Sequence, residues 1–184
     1  DRAKNRGAWG SAGGMPTTDN ELAERVRALG TSGSDYKCHH IYKGQTPRLD
    51  ELQAAFLAAK LPHLDTMNAE RRRIAARYLA EMHNPAVTLP AELPGCTHVW
   101  HIFAVRCADR NALEKHLNAR GIGTNKHYPT PIHLQGAYAE LGLGRGALPL
   151  AEEISATELS LPMFYGMTDA QVQAVIDAVN EFEG

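Results

Sequence analysis

Lys4 is the first residue in the chain whose type and setting suit covalent chemistry. It is followed by Asn5 and lies in a glycine-rich segment, residues 1–16, that shows no helical or strand periodicity. Glycines let a backbone approach a flat ligand closely, and a lysine amine is a nucleophile towards carbonyl groups. The same residues also fit an exposed and unreactive lysine, so the local sequence leaves both interpretations open.

The chain has nine histidines and three cysteines, residue types that can bind metal ions. Their two clusters are Cys38-His39-His40 and the stretch from Cys96 to His101. Neither has the paired spacing of a zinc site, and in a strand residues 98 and 101 would point to opposite faces. The sequence therefore predicts no metal.

The sequence also lacks the Gly-x-Ser-x-Gly turn of a serine hydrolase and the Gly-Lys-Ser/Thr of a phosphate-binding loop.

Composition places the chain among ordinary globular proteins. Its 184 residues are 43% hydrophobic and 22% charged, which predicts one domain or one and a half. A net charge of −2 argues against binding nucleic acid or a membrane surface through bulk charge, and no apolar run is long enough to span a bilayer. The odd, widely spaced cysteines indicate reduced thiols and hence a cytoplasmic protein.

The elements that must position any site form an α+β pattern with more helix than strand. A capping box, Thr18 with Glu21, predicts a helix that ends at Gly30. Residues 48–83 predict two further helices, and Asp109 and Thr168 each begin another. Shorter helices are expected at 135–141 and 149–158. Val99 to Val105 predicts a strand, with short extended pieces at 122–124 and 159–163.

Four segments in a fixed order carry a family resemblance. They are Lys4-Asn-Arg-Gly-Ala-Trp-Gly-Ser-Ala-Gly13, Gly44-Gln-Thr-Pro-Arg-Leu-Asp-Glu-Leu-Gln-Ala-Ala55, Gly121-Ile-Gly-Thr-Asn-Lys-His-Tyr-Pro129 and Leu159-Ser-Leu-Pro-Met163. Together they resemble the DegT/DnrJ/EryC1/StrS sugar aminotransferases over nearly the whole chain. The resemblance implies an α/β fold of the aspartate-aminotransferase type, known as pyridoxal phosphate (PLP) fold type I. It also implies PLP as cofactor at a dimer interface.

The resemblance assigns roles to six residues. Lys4 would hold PLP as a Schiff base, with Asn5 beside it in the cofactor site. Thr46 stands where the family has an asparagine that reaches the phosphate in the neighbouring subunit, and a threonine hydroxyl can still donate one hydrogen bond. Arg48 could hold a carboxylate or phosphate, or be a surface charge at the start of a helix. His127 and Tyr128 match the family's His-Tyr-Pro and would lie near the substrate.

Family members are about twice as long, so this chain resembles their C-terminal half. Residues 1–47 would end the PLP-binding large domain, 48–85 would be connecting helices at a homodimer interface, and 86–184 would form the small domain. The family's partner for the pyridinium nitrogen and its ring-stacking residue would lie upstream. The implied reaction moves an amino group from an amino acid such as glutamate to a nucleotide-linked keto-sugar, for polysaccharide or glycosylated-metabolite biosynthesis.

A second interpretation is an inert family member that serves as a binding or assembly module. Arg6, Ser11 and Thr46 replace family residues around the expected cofactor, and these changes favour inertness. Retention of Lys4, Arg48 and the His-Tyr-Pro stretch favours the enzyme, because an inert descendant would be free to lose them.

Overall fold

A computed structural model of the chain describes residues 14–45 and 49–184, which belong to two units divided between Leu64 and Asp65. The division falls inside the segment 48–85 that was expected to connect two domains. The predicted boundaries after residues 47 and 85 refer to a longer protein and remain predictions. The two units are described separately below.

The first unit contains two helices and a short hairpin. Helix α1 spans Asn20–Gly30, strands β1 and β2 span Ser34–Tyr36 and His39–His40, and α2 spans Glu51–Lys60, followed by a 3-10 turn at Leu61–His63. The carboxylate of Asp19 accepts the N–H of Leu22 and caps α1. The predicted capping box at Thr18 is therefore wrong by one residue, because the aspartate next to it takes the N-cap position.

The base of the hairpin is a close backbone contact between two glycines. Gly33 has a φ of +81°, and its carbonyl oxygen accepts the N–H groups of Ile41 at 2.8 Å and Tyr42 at 3.1 Å. A Cβ on Gly33 would lie 1.8 Å from the carbonyl oxygen of Tyr42, and one on Gly44 would lie 2.1 Å from the nitrogen of Gly33. Gly33 therefore requires glycine both for its positive φ and for lack of space, and Gly44 requires it for lack of space alone.

The second unit is built on an antiparallel sheet of three strands in the order β3-β4-β5. Its strands are β3 Val87–Thr88, β4 Phe103–Cys107 and β5 Glu158–Leu161. Its helices are α3 Leu64–Glu81, which begins at the division, α4 Arg110–Ala119, α5 Pro149–Thr157 and α6 Asp169–Asn180, with 3-10 turns at Ile132–Leu134 and Gly136–Leu141. The sequence assigned α4, α5, α6 and the turn after Gln135 correctly, and both hydrogen bonds of the predicted capping box at Thr168 are present.

The predicted strand at 99–105 is displaced to Phe103–Cys107. Trp100 has a φ of +45°, and its N–H donates to the His98 ring at 2.8 Å, so the chain turns before it can extend. Residues 122–124 do not form the short strand that was predicted. Only Asn125 pairs there, through a single bridge to Ser160 of β5.

One face of the sheet forms the core of the second unit. Side chains of β4 and β5 on this face are buried against α3, α4 and α6, namely Phe103, Val105, Leu159, Leu161, Ile74, Tyr78, Leu113, Leu117, Val172 and Ile176. The hydroxyl of Tyr78 donates to the carbonyl oxygen of Pro162 at 3.0 Å, and burial raises the pKa of this phenol well above its ordinary value. Leu159 and Leu161 of β5 thus point to the core, and Glu158 and Ser160 point to the opposite face.

Among the helices in residues 14–45 and 49–184, none is both long and apolar enough to cross a membrane.

The close contact at Gly33 predicts that alanine substitutions at Gly33 and at Gly30 change the stability of the first unit by different amounts. Gly33→Ala should destabilise the first unit by more than about 1 kcal/mol, because it places a methyl group on a carbonyl oxygen at a positive φ. Gly30→Ala is the matched control, since nothing lies within 4 Å of a Cβ at this helix end and alanine favours helix by up to about 1 kcal/mol. Hydrogen exchange of the Ile41 and Tyr42 amides checks the prediction. Equal protection in the two variants would contradict it.

Candidate functional site

Strand β5 presents two polar side chains on the face opposite the core. Glu158 and Ser160 alternate with Leu159 and Leu161, so they share one face of the strand. Both are almost inaccessible, with 3% and 5% of their surfaces exposed. Buried polar groups of this kind must find hydrogen-bond partners within the protein.

The partners come from the loop that begins at Asn125. Strand β4 pairs with one edge of β5, and Asn125 pairs with the other. The Asn125 N–H donates to the Ser160 carbonyl at 3.2 Å, and the Ser160 N–H donates to the Asn125 carbonyl at 2.8 Å. The loop is therefore fastened by its backbone to the open edge of the sheet, two residues before His127.

Two hydrogen bonds to β5 hold His127, and a third joins their partners Glu158 and Ser160. The backbone N–H of His127 donates to the Glu158 carboxylate at 2.7 Å, and the Ser160 hydroxyl donates to the other carboxylate oxygen at 2.5 Å. The Ser160 oxygen also lies 2.8 Å from Nδ1 of the His127 ring. A buried carboxylate, a hydroxyl and an imidazole thus form one continuous chain of hydrogen bonds.

The two residues before His127 are fixed as well. The Asn125 side-chain oxygen accepts the N–H of Lys126 at 2.8 Å, and its amide nitrogen lies 3.3 Å from Nε2 of His127. The Lys126 ammonium pairs with Glu114 of α4 at 2.5 Å, with both side chains about three-quarters buried. Successive residues of the loop are therefore attached to β5 and α4.

Tyr128 is the exposed part of this site. The His127–Tyr128 peptide bond is cis, and the two rings meet edge to face with centroids 5.5 Å apart. The His127 side chain is half-buried, whereas Tyr128 is 71% exposed. The arrangement offers an oriented imidazole and an accessible phenol, groups suited to hydrogen bonding and stacking with a polar ligand.

A second histidine–carboxylate contact orders the segment that follows. Nε2 of the buried His133 lies 3.1 Å from Glu152 in the first turn of α5. The same carboxylate accepts the N–H of Gly146 at 2.8 Å and that of Leu148 at 3.4 Å. The hydrogen bond with His133, followed by these backbone donors, lowers the pKa of Glu152 below its ordinary value. A helix N-terminus also favours an anion at this position.

The residues expected in the site divide into two groups. Lys4, Asn5, Thr46 and Arg48 lie outside the described residues, so their roles remain predictions. His127 and Tyr128 lie in the described part, next to each other at the edge of β5, and their contact with substrate also remains a prediction.

Sequence reasoning missed Glu158, Ser160, Asn125 and the pair formed by His133 and Glu152. A signal was available for Ser160 alone, since it lies in the extended segment predicted at 159–163 and in the family motif Leu-Ser-Leu-Pro. Glu158 shares a face with Ser160 only once the strand begins at Glu158, a residue that the pattern assigned to the preceding helix. The pairing of that face with the His127 loop is a tertiary contact over more than 30 residues, which the pattern does not encode.

Within the described ranges, no group of three histidine, cysteine or acidic side chains is arranged to hold a metal ion. The three cysteines are unpaired thiols, with Cys38 and Cys96 exposed and Cys107 buried. Burial raises the pKa of Cys107, so its thiol is less reactive than an ordinary one.

The fold is that of PLP-type sugar aminotransferases. The chain belongs to the DegT/DnrJ/EryC1/StrS aminotransferase family, whose sequence pattern matches residues 3–180. Its structure is similar to that of Streptomyces venezuelae DesV in complex with a ketimine intermediate, with a TM-score of 0.94 and 46% identity over 97% of this chain and 48% of that one. The expected C-terminal half of an aspartate-aminotransferase-type fold is thereby confirmed.

Two curated relatives show the extent of the match. The chain is 48% identical to the erythromycin biosynthesis sensory transduction protein EryC1 of Saccharopolyspora erythraea, over 87% of this chain and 44% of that protein. It is 46% identical to the dTDP-3-amino-3,4,6-trideoxy-alpha-D-glucose transaminase of Streptomyces venezuelae, over 97% of this chain and 48% of that protein. The chain thus spans about half the length of the curated relatives it matches.

The hydrogen bonds of Glu152 with His133, Gly146 and Leu148 predict how the free energy of unfolding depends on acidic pH. Because the folded-state pKa of Glu152 lies below its ordinary value of 4.5, ionised Glu152 stabilises the fold above that pH. The stabilisation should be lost as the pH falls through the folded-state pKa. Glu152→Gln should remove this part of the slope in urea unfolding as the pH falls below about 4.5. Glu140→Gln, on an exposed side chain, is the charge control, and an unchanged slope in Glu152→Gln would contradict the prediction.

Proposed function

We propose that the whole protein is a PLP-dependent aminotransferase that moves an amino group from an amino acid, such as glutamate, to a nucleotide-linked keto-sugar. The observation that carries the proposal is the similarity of this chain, over 97% of its length, to Streptomyces venezuelae DesV in complex with a ketimine intermediate. The transaminase names of relatives from Streptomyces venezuelae and Aneurinibacillus thermoaerophilus, both for dTDP-linked amino sugars, support the substrate class.

The chemistry of the expected cofactor residues fits PLP. PLP has an aldehyde that a lysine amine can bind and a phosphate that suits hydroxyl and guanidinium donors. The chain offers the amine of Lys4, the hydroxyl of Thr46 and the guanidinium of Arg48. When bound, PLP supplies the electron sink for breaking a bond at the amino-bearing carbon.

The roles of the protein groups follow from their chemistry. Lys4 would anchor the cofactor and, once displaced by the donor amino acid, its Nζ would take the proton from the donor Cα. Thr46 would donate one hydrogen bond to phosphate, fewer than the asparagine amide found in the family. Arg48 would bind a carboxylate or phosphate through two parallel hydrogen bonds. His127 and Tyr128 would contact the sugar substrate from the loop anchored on β5.

We further propose that the complete protein is a cytoplasmic homodimer in which α2 contributes to the interface. Helix α2 has no buried residue within its own unit, and it exposes large apolar side chains, including 74% of Leu52 and 41% of Phe56. Exposed apolar surface of this kind is typical of a contact with another chain or another part of the same protein. The three unpaired thiols support a reducing compartment.

A direct test of the enzyme is covalent attachment of PLP. In the protein expressed from the complete reading frame, borohydride reduction should fix PLP on the peptide that contains Lys4, as read by mass spectrometry. Lys4→Ala should lose the label and amino transfer while still folding, and Lys115→Ala, at an exposed helical lysine, should retain both.

The 184-residue chain alone should show no saturable PLP binding, because the expected ring-stacking and pyridinium partners lie upstream. A complete protein that binds no PLP and transfers no amino group would favour the inert binding module instead. Saturable binding by this chain that is lost in Lys4→Ala would show that the cofactor site lies within these residues.

The proposed interface is tested by a matched pair of charge insertions. Leu52 and Leu93 are both 74% exposed, but only Leu52 lies on α2. Leu52→Asp should convert the complete protein from dimer to monomer in light scattering at micromolar concentration, whereas Leu93→Asp should leave the dimer unchanged, since only the first buries a charge in the interface. A monomeric parent protein, or a dimer that survives Leu52→Asp, would count against this interface.

A further inference from the structure

The hydrogen bonds around His127 have a direction, which starts from the buried Glu158 carboxylate. An ionised carboxylate only accepts hydrogen bonds. The Ser160 hydroxyl, 2.5 Å from one carboxylate oxygen, therefore donates its single proton to Glu158. The other carboxylate oxygen accepts the backbone N–H of His127 at 2.7 Å. No second proton remains on Ser160 for another partner.

The direction continues into the imidazole ring. Because the Ser160 proton points to Glu158, the Ser160 oxygen can only accept from Nδ1 of His127, 2.8 Å away. Nδ1 must then carry the proton, and in the neutral ring Nε2 carries the lone pair. The contact between Nδ1 and Ser160 thus assigns the tautomer of His127 that carries its proton on Nδ1.

The other side of the ring gives the same assignment independently. The Asn125 side-chain oxygen accepts the N–H of Lys126 at 2.8 Å, which sets the orientation of the amide group. The Asn125 amide nitrogen, a donor, therefore faces Nε2 of His127 at 3.3 Å. A proton on Nε2 would oppose this donor, whereas a lone pair accepts from it.

We propose that Glu158 and Ser160 are positioning residues that hold the proton of His127 on Nδ1 and present Nε2 as an acceptor for a hydroxyl group of the sugar substrate. The substrate part of the inference rests on the proposed function. The Asn125 contact at Nε2 is long and exposed, so a hydroxyl can replace it. The bonds to Nδ1 and to the backbone of His127 are short and partly buried, and their partners Glu158 and Ser160 are themselves buried, so the ring keeps its orientation when the partner at Nε2 changes.

A substitution of Glu158 should invert the tautomer. In Glu158→Gln the side-chain oxygen must face the His127 N–H, because an amide nitrogen there would oppose another donor. The amide nitrogen then donates to the Ser160 oxygen, and the Ser160 hydroxyl turns its proton to Nδ1. His127 should then carry its proton on Nε2 in this variant, because the contact with the Asn125 amide is long and exposed and gives way to the shorter bond from Ser160.

The tautomer is measured by nitrogen-15 NMR of the full 184-residue chain at mildly alkaline pH, above the ordinary histidine pKa of about 6.5. His127→Gln identifies the signals of this ring by their loss. In the parent chain Nδ1 should be the protonated nitrogen, and Glu158→Gln should make Nδ1–H the minor form. Ser160→Ala should bring the two nitrogen shifts towards an average, and Ser160→Thr, which keeps the hydroxyl, should restore the parent pattern.

Glu152→Gln is the matched control, because it alters the carboxylate partner of His133 in the same unit and should leave His127 unchanged. A parent chain with the proton on Nε2 overturns the proposal, and this measurement needs no substitution at Glu158 or Ser160. A Glu158→Gln variant with the parent tautomer also overturns it. The readout does not depend on turnover, so a failure of the proposed aminotransferase activity would leave this result standing and would be recognised separately.

Discussion

The bonds of the buried Glu158 carboxylate are the interaction on which the loop at β5 depends. A carboxylate that is 3% exposed carries a large desolvation cost unless donors surround it. Its donors are a hydroxyl on its own strand and a backbone N–H from the loop. Strand and loop must therefore be in place together, because either alone would leave a buried charge without sufficient partners. The His127 ring is thus oriented before any ligand arrives, which favours tight and specific binding.

The helices of the second unit were predictable because the signals that start them are local. Asp109 and Thr168 each bond to a backbone N–H three residues ahead, a pattern visible in any short window of sequence. The strand predicted at 99–105 begins four residues too early because the apolar run that indicates it already includes Val99 and Trp100. The positive φ at that residue is set by its contact with the His98 ring and by burial, which a strand pattern does not reveal.

The site was predictable only as far as sequence motifs extend. His127 and Tyr128 could be named as candidates because they lie in a contiguous family motif. Glu158 was missed because the sequence pattern places it at the end of the helix expected over 149–158, where a glutamate is normally solvent-facing, and its burial here depends on a loop 31 residues earlier in the chain. The roles of Lys4 and Thr46, which lie outside the described residues, rest on the sequence argument alone.

The contact between Gly33 and Gly44 has a consequence for how the first unit can vary. Each glycine already has the smallest possible side chain, so crowding at one position cannot be relieved by trimming the other. The base of the loop is closed by main-chain atoms, whereas side chains further along it bond to each other, as Asp35 does with the His39 ring at 2.6 Å. An exposed side chain such as that of Tyr36 can therefore change while the main-chain contacts at the base are kept.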